Sequence, residues 1–231
     1  MKKDNQTKNI ISAIVSVFLI ILTSVMGLTA IKNSASDQGV MQEEYRNRSQ
    51  VVLYSGALTG RGVIVGADDD FIDILTTKHL IRDGGQDVSV EFANKKKVKA
   101  LAVYVAEGYD AALVRVVRSD AWEAIGHPRS VEYLNEDEYN SFAQGEDVYY
   151  LEYVYDDNLS VLSGTWSETN EYIVSINTEA GIFKADVRPG MSGEGLFDSD
   201  DRLIGIIIAA GDGEGAVIPA YKLLDYGVFK Q

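Results

Sequence analysis

The sequence predicts an all-β domain built from two blocks of strands, ending in a short helix and preceded by one transmembrane helix. Three observations carry this reading. Short runs rich in Val, Ile, Leu and Tyr, broken by Gly, Asp and Asn, recur from residue 51 onward. An irregular acidic stretch from Arg118 to Gly145 divides them into two groups. Ahead of both stands Ile10–Ile31, 22 residues without a charge.

At about 1.5 Å per residue that first run is long enough to span a hydrocarbon core of about 30 Å as a helix. Lys2, Lys3 and Lys8 precede it and only Lys32 follows closely, so the charge bias puts residues 1–9 in the cytoplasm and the rest of the chain outside, at the cell membrane. Val25 and Gly27 would suit a signal-peptide cleavage site. A signal-peptide core is usually about 7–15 residues, however, which favours a retained anchor. Residues 32–50 are polar and read as a juxtamembrane linker with one short helix at Met41–Arg48.

The folded domain is expected over 51–231. Its first block, about 51–117, has strand-like runs at Val51–Ser55, Gly62–Val65, Ile72–Thr76, Val88–Phe92, Val98–Val105 and Ala112–Val116. The connecting stretch holds one short helix at Asp120–Ile125 and a surface histidine, His127. The second block, about 145–219, has runs at Val148–Tyr155, Val161–Trp166, Tyr172–Asn177, Ile182–Asp186, Gly195–Phe197, Leu203–Ala209 and Ala216–Ile218. Tyr149, Leu151, Tyr153 and Tyr155 alternate onto one face and read as core. Pro219 opens a terminal helix through Leu224.

Composition narrows the function. With no cysteine, disulfides and thiol chemistry are excluded. Formal charge is −14, and the part beyond residue 31 carries −16, because residues 1–31 hold three Lys and one Asp. Such a domain repels phosphate backbones, so no nucleic-acid partner is expected. No P-loop, dinucleotide or zinc motif is present. Asp68–Asp70 and Asp198–Asp201 lack the spacing of a calcium loop and read as hairpin turns, as does Lys95–Lys97. No metal and no organic cofactor are expected.

The chemistry concentrates in Gly190-Met191-Ser192-Gly193, downstream of Thr76-Thr77-Lys78-His79 and Asp110-Ala111-Ala112-Leu113. A glycine-flanked serine suits a tight turn whose backbone N–H groups face a developing oxyanion, and an earlier His and Asp would activate its hydroxyl. Singly, each is also an ordinary strand-end histidine, turn aspartate or turn serine. The order His, Asp, Ser differs from that of subtilisin and of the α/β-hydrolases.

GRGVIV at 60–65, ILTTKHLI at 74–81, DAALVRV at 110–116, RPGMSGEGLFD at 188–198 and LIGIII at 203–208 together resemble the chymotrypsin-like serine proteases, above all the bacterial HtrA type. The resemblance covers Val51 to Leu224. It implies two six-stranded antiparallel β-barrels with a cleft between them, and a protein or peptide substrate. It also implies roles: Ser192 as nucleophile, His79 as general base, Asp110 as its orienting carboxylate, and the N–H groups of Gly190 and Ser192 as the oxyanion hole. The specificity pocket would be walled by Ile208, Ala209 and Ala210. Asp186 would lie near its floor, where a carboxylate facing inward would select Lys or Arg; a small or aliphatic preference is the default.

Two positions depart from the family pattern. Glu194 follows Gly193 where a second glycine is usual, and a carboxylate beside the nucleophile would raise the pKa of the base or alter substrate fit. An inactive protease-fold module that binds an extracellular peptide or protein is therefore the alternative function. Met191 replaces the aspartate that pairs with a new N-terminus in the digestive enzymes, so that activation switch is absent. No PDZ domain or trimerisation segment of the HtrA type is recognisable, which leaves the oligomeric state open.

Overall fold

The N-terminal half is an open antiparallel sheet, and the C-terminal half is a closed barrel. The computed structural model describes residues 49–81, 87–93, 95–125, 130–154, 158–174, 176–188 and 190–230. The expected transmembrane helix, the helix at 41–48 and His127 lie outside these. Among the described residues no helix is long and apolar enough to cross a membrane.

In chain order the first half contains β1 (Gln50–Ser55), β2 (Leu58–Ala67), β3 (Phe71–Thr76), a 3₁₀ turn (Lys78–Leu80), β4 (Val88–Glu91), β5 (Lys97–Lys99), β6 (Ala102–Ala106) and β7 (Ala112–Val117). Helices α1 (Arg118–Ile125) and α2 (Glu136–Ser141) lead to β8 (Asp147–Val154), β9 (Asn158–Ile173), β10 (Thr178–Lys184), β11 (Gly195–Phe197), β12 (Leu203–Gly211) and β13 (Glu214–Pro219). After α3 (Ala220–Leu224) the chain returns to the first half as β14 (Phe229–Lys230).

The expectation of two six-stranded barrels holds for the second half alone, whose strands close in the order β10-β13-β12-β11-β8-β9. The first half is eight-stranded, in the order β14-β6-β7-β3-β2-β1-β4-β5, and its ends do not pair. Its edge β5 is three residues long, with Lys97 and Lys99 exposed on either side of buried Val98; a short, charged edge of this kind resists further pairing. The run read as Val98–Val105 is broken at Ala100–Leu101 into β5 and β6. Conversely, the runs Val161–Trp166 and Tyr172–Asn177 belong to the single 16-residue strand β9 and the turn after it. Between them Glu168, Asn170 and Glu171 are exposed, while half-buried Thr169 accepts from the Trp166 indole N–H at 3.3 Å, on a strand that keeps pairing with β10 through a bulge at Ile182.

Three apolar clusters hold the domain. One fills the concave face of the first sheet, with Leu53, Ile64, Ile74, Val90 and Val114. Another fills the barrel, with Val148, Tyr150, Trp166, Phe183 and Val217. The third lies between the halves, where Val63, Leu75 and Ala111 of the first meet Tyr149, Leu151 and Ile206 of the second. Strand β8 is buried on both faces, so Tyr149 and Leu151 enter this seam while Val148 and Tyr150 fill the barrel. The side chains of Tyr153 and Tyr155 are outside the described set.

The connecting stretch is more ordered than its composition suggests. Asn135 and Glu138 form a capping box on α2, each side chain accepting from the other's backbone N–H at 3.0 Å. That start places Tyr139 edge-on to Trp166, with ring centroids 5.7 Å apart, as a plug on the barrel. The turn at Asp198 is an acceptor for the N–H groups of Asp200 and Arg202, in keeping with a hairpin.

Leu151 is fully buried in the seam, so Leu151→Ala should lower unfolding free energy by about 2–5 kcal/mol in urea denaturation. Val174→Ala, at an 82% exposed position, should stay within about 0.5 kcal/mol of wild type.

Candidate active site

Strand β3 ends at buried Thr76, and the 3₁₀ turn that follows carries His79 into the mouth of the seam. Leu80 anchors this turn: it is buried against Gly60 of β2, where a β-carbon would collide with it. Asp110 lies just before β7, in a loop closed by the Ala106 N–H to Ala111 carbonyl bond of 2.9 Å. The returning C-terminal segment braces that loop, since the N–H of Glu107 donates to the Val228 carbonyl at 3.0 Å.

His79 and Asp110 meet through two bonds. The ring Nδ1 is 2.6 Å from Oδ2, and the His79 backbone N–H donates to Oδ1 at 2.8 Å. The hydrogen bond to Asp110 raises the His79 pKa above its ordinary 6.5, against an opposing effect of burial. For Asp110, burial opposes ionisation, but the bonds from the His79 ring and backbone outweigh it and hold the pKa below 3.8. The pairing leaves the other ring nitrogen, Nε2, for a proton from elsewhere.

The serine turn belongs to the barrel half and packs on Arg61 of β2. The Arg61 N–H donates to the Ser192 carbonyl at 3.1 Å, and the Arg61 carbonyl accepts from Thr76 Oγ1 at 2.6 Å. Gly193 has φ +87° and faces Arg61 so closely that a β-carbon would lie 2.1 Å from its carbonyl oxygen. Gly190, at φ +100°, is likewise in the left-handed region. Gly193 donates forward to the carbonyl of Ile207 on β12 at 2.8 Å, and Glu194 back to that of Met191 at 3.0 Å. Among the described residues no backbone bond takes up the N–H of Gly190 or of Ser192. The Ser192 hydroxyl is half-buried and makes no hydrogen bond to His79 among the described residues.

Known proteins supply the family. Residues 60–206, more than half of the chain, match the trypsin-like peptidase domain. The chain belongs to the trypsin-like peptidase family. Among solved structures it is similar to the Rv3671c protease of M. tuberculosis. A serine-to-alanine mutant in an inactive form gives a TM-score of 0.59 and 21% identity over 78% of this chain and 85% of that one. The active form gives 0.58 and 21%, over 78% and 79%. No curated protein matches. By family this protein is a serine endopeptidase.

The specificity side of the peptidase differs from expectation at one residue. Asp186 does not face a pocket: its side chain is 76% exposed and pairs with Arg188. A tight turn after β10 decides this: the Val187 N–H donates to the Ala185 carbonyl at 2.9 Å, Ala185 and Val187 pack onto the barrel core, and Asp186 between them is left outside. Val187 approaches Gly215, so an apolar residue occupies the inward position. Of the expected wall residues, Ile208 is buried in the seam, while Ala209 and Ala210 line a cavity of about 390 Å³ with Ile173, Ile182 and Ala216. Glu194 is 1% exposed and points away from solvent, with Arg61 Nε 3.9 Å from its Oε2. Met191 is buried in the barrel core, its sulfur accepting from the Arg188 N–H at 3.4 Å.

Arg61 and Val187 are the residues that sequence reasoning passed over. For Val187, strand periodicity gives no signal, because β10 ends at Lys184 and the chain turns at Asp186. For Arg61, nothing beyond its place between two glycines marks it.

NMR titration of the two histidines should give His79 a pKa above 6.5 in wild type, with a fall on Asp110→Asn. An unchanged value would mean that Asp110 does not hold the ring in solution.

Proposed function

We propose that this peptidase hydrolyses peptide bonds through an acyl-enzyme, with Ser192 as nucleophile, His79 as general base and then acid, and Asp110 holding the imidazole. The observation that carries the reading is the doubly bonded His79–Asp110 pair at 2.6 and 2.8 Å, set on the same β2–β3 frame that packs against the Ser192 turn. Asp110 accepts from Nδ1, which fixes the tautomer whose Nε2 can take the serine proton. As Ser192 Oγ bonds to the scissile carbonyl, the carbonyl oxygen becomes an anion within reach of the Gly190 and Ser192 N–H groups. Such donors contribute about 3–4 kcal/mol each in comparable enzymes. The imidazolium then protonates the leaving amine, and water repeats the sequence on the ester.

Substrates are proteins or peptides, met at the outer face of a membrane. The support for that location is the uncharged run of residues 10–31 and the lysines ahead of it. The small Ala209 and Ala210 favour a small or aliphatic residue at the cleaved position, in a cavity that Glu171, Asp212 and Glu214 also line.

A fluorophosphonate should label the full chain at Ser192 alone, and Ser192→Ala or His79→Ala should abolish labelling. Asp110→Asn should lower kcat by about 10⁴-fold, as loss of the orienting carboxylate does in such triads. Folded wild type that never reacts would move the assignment to the peptide-binding module.

A peptide library should show preference for Ala, Val or similar residues at the cleaved position, and Asp186→Asn should leave that preference unchanged. Selection of Lys or Arg, lost in Asp186→Asn, would return Asp186 to the pocket.

A further inference from the structure

Among the described residues two acids are buried, Asp198 and Glu194. Asp198 is explained within its own hairpin by Arg202 and by the N–H groups of the turn. Glu194 has a different setting. It follows Ser192 by two residues on the barrel half, is 1% exposed, and lies 3.9 Å from Nε of Arg61 on the sheet half. A carboxylate this deeply buried is unfavourable unless a cation accompanies it, so the position of Glu194 is tied to that of Arg61.

Arg61 is itself fixed. Its N–H donates to the Ser192 carbonyl, and its carbonyl accepts from Thr76 Oγ1, three residues before His79. Its side chain brings Nε to 3.9 Å from the carboxylate of Glu194, two residues further along the turn. The turn is thus gripped at two points, through the backbone at Ser192 and through charge at Glu194. At this depth water screens the attraction poorly, so sliding of the turn along the seam is opposed.

We propose that Arg61 and Glu194 are a positioning pair, holding the Ser192 turn in register with the half of the molecule that carries His79 and Asp110. Glu194 is then a part of the catalytic scaffold, acting through the turn and not on the base. In agreement, the raised pKa of His79 traces to Asp110. The inference rests on the reading of Ser192 as nucleophile, and its test separates the two.

The variants are Glu194→Gln, Arg61→Gln, their double, and Arg61→Lys, in the full chain. Glu194→Gln keeps the shape and leaves no uncompensated buried anion, so it carries the test if Arg61→Gln does not fold. The readouts are the rate of fluorophosphonate labelling of Ser192, kcat and KM on a peptide, and amide hydrogen exchange over residues 190–197. Each Gln variant should lower labelling and kcat about ten- to hundredfold, the scale of small misplacement of a reacting group, with KM within about twofold. The double should lose less than the product of the singles, and Arg61→Lys should recover most of the rate. Exchange over 190–197 should accelerate in Glu194→Gln while the β4–β5 hairpin stays unchanged.

Folded single variants with wild-type labelling and exchange would overturn the pairing, as would strictly multiplicative losses. If wild type fails to label, the nucleophile assignment fails, and exchange alone still decides the pair: faster at 190–197 in Glu194→Gln supports it, unchanged rejects it.

Discussion

The close approach of the Ser192–Gly193 turn to the backbone of Arg61 is the constraint on which the rest of this molecule depends. His79 and Asp110 are carried by an open sheet, Ser192 by a closed barrel, and no covalent cross-link joins the two, because the chain has no cysteine. Their relative position rests on the apolar seam and on the few polar contacts across it. The seam supplies cohesion, since apolar burial is strong but directionless. The Arg61 N–H to Ser192 carbonyl bond supplies register. Gly193 is what permits that bond: any β-carbon there would meet the Arg61 carbonyl before the turn could seat.

The same division explains the path of the C-terminus. After α3 packs on the barrel, Phe229 and Lys230 cross back to pair with Ala106 and Val105, beside the loop that holds Asp110. The pairing of β14 with the first sheet ties the two halves together, and it does so at the edge beside the Asp110 loop. Stability and site geometry therefore share the same contacts, and damage to the seam is felt at both.

How far the sequence announced this differs from element to element. Strands β1, β3, β7, β8 and β12 were legible because their β-branched or aromatic runs end at turn residues, and the candidate site segments stood out because histidine is rare in this chain and glycine flanks the serine. The openness of the first half was not, since barrel closure depends on how edges meet and not on any one strand's pattern. Strand β9 was divided at Ser167–Glu171 because a run of polar residues mimics a turn. Asp186 was expected near the pocket floor by resemblance. Its side chain instead leaves the barrel at the tight turn that Ala185 and Val187 close after β10. Glu194 looked like a threat to the base because proximity in sequence was read as proximity in space. Burial instead turns it toward Arg61.

The His79–Asp110 pair also sets fold stability and chemistry against each other. His79 has its pKa raised above 6.5 on folding, so its contribution to stability is complete below 6.5 and is lost as pH rises through the higher folded value. Asp110 has its pKa lowered below 3.8, so its contribution is present above 3.8 and is lost as pH falls through the depressed value. Both groups are ionised between these limits, on the mildly acidic side. A general base, however, must be neutral, and His79 becomes neutral only as pH climbs through its raised pKa. In the proposed mechanism the proton that completes the pair is thus the one that must leave before Ser192 can be deprotonated. When the serine there gives up its proton in turn, the pair is restored at the moment negative charge appears on the substrate. A carboxylate placed here stabilises the folded protein least in the resting base and most in the charged intermediate, which is the difference that lowers a barrier.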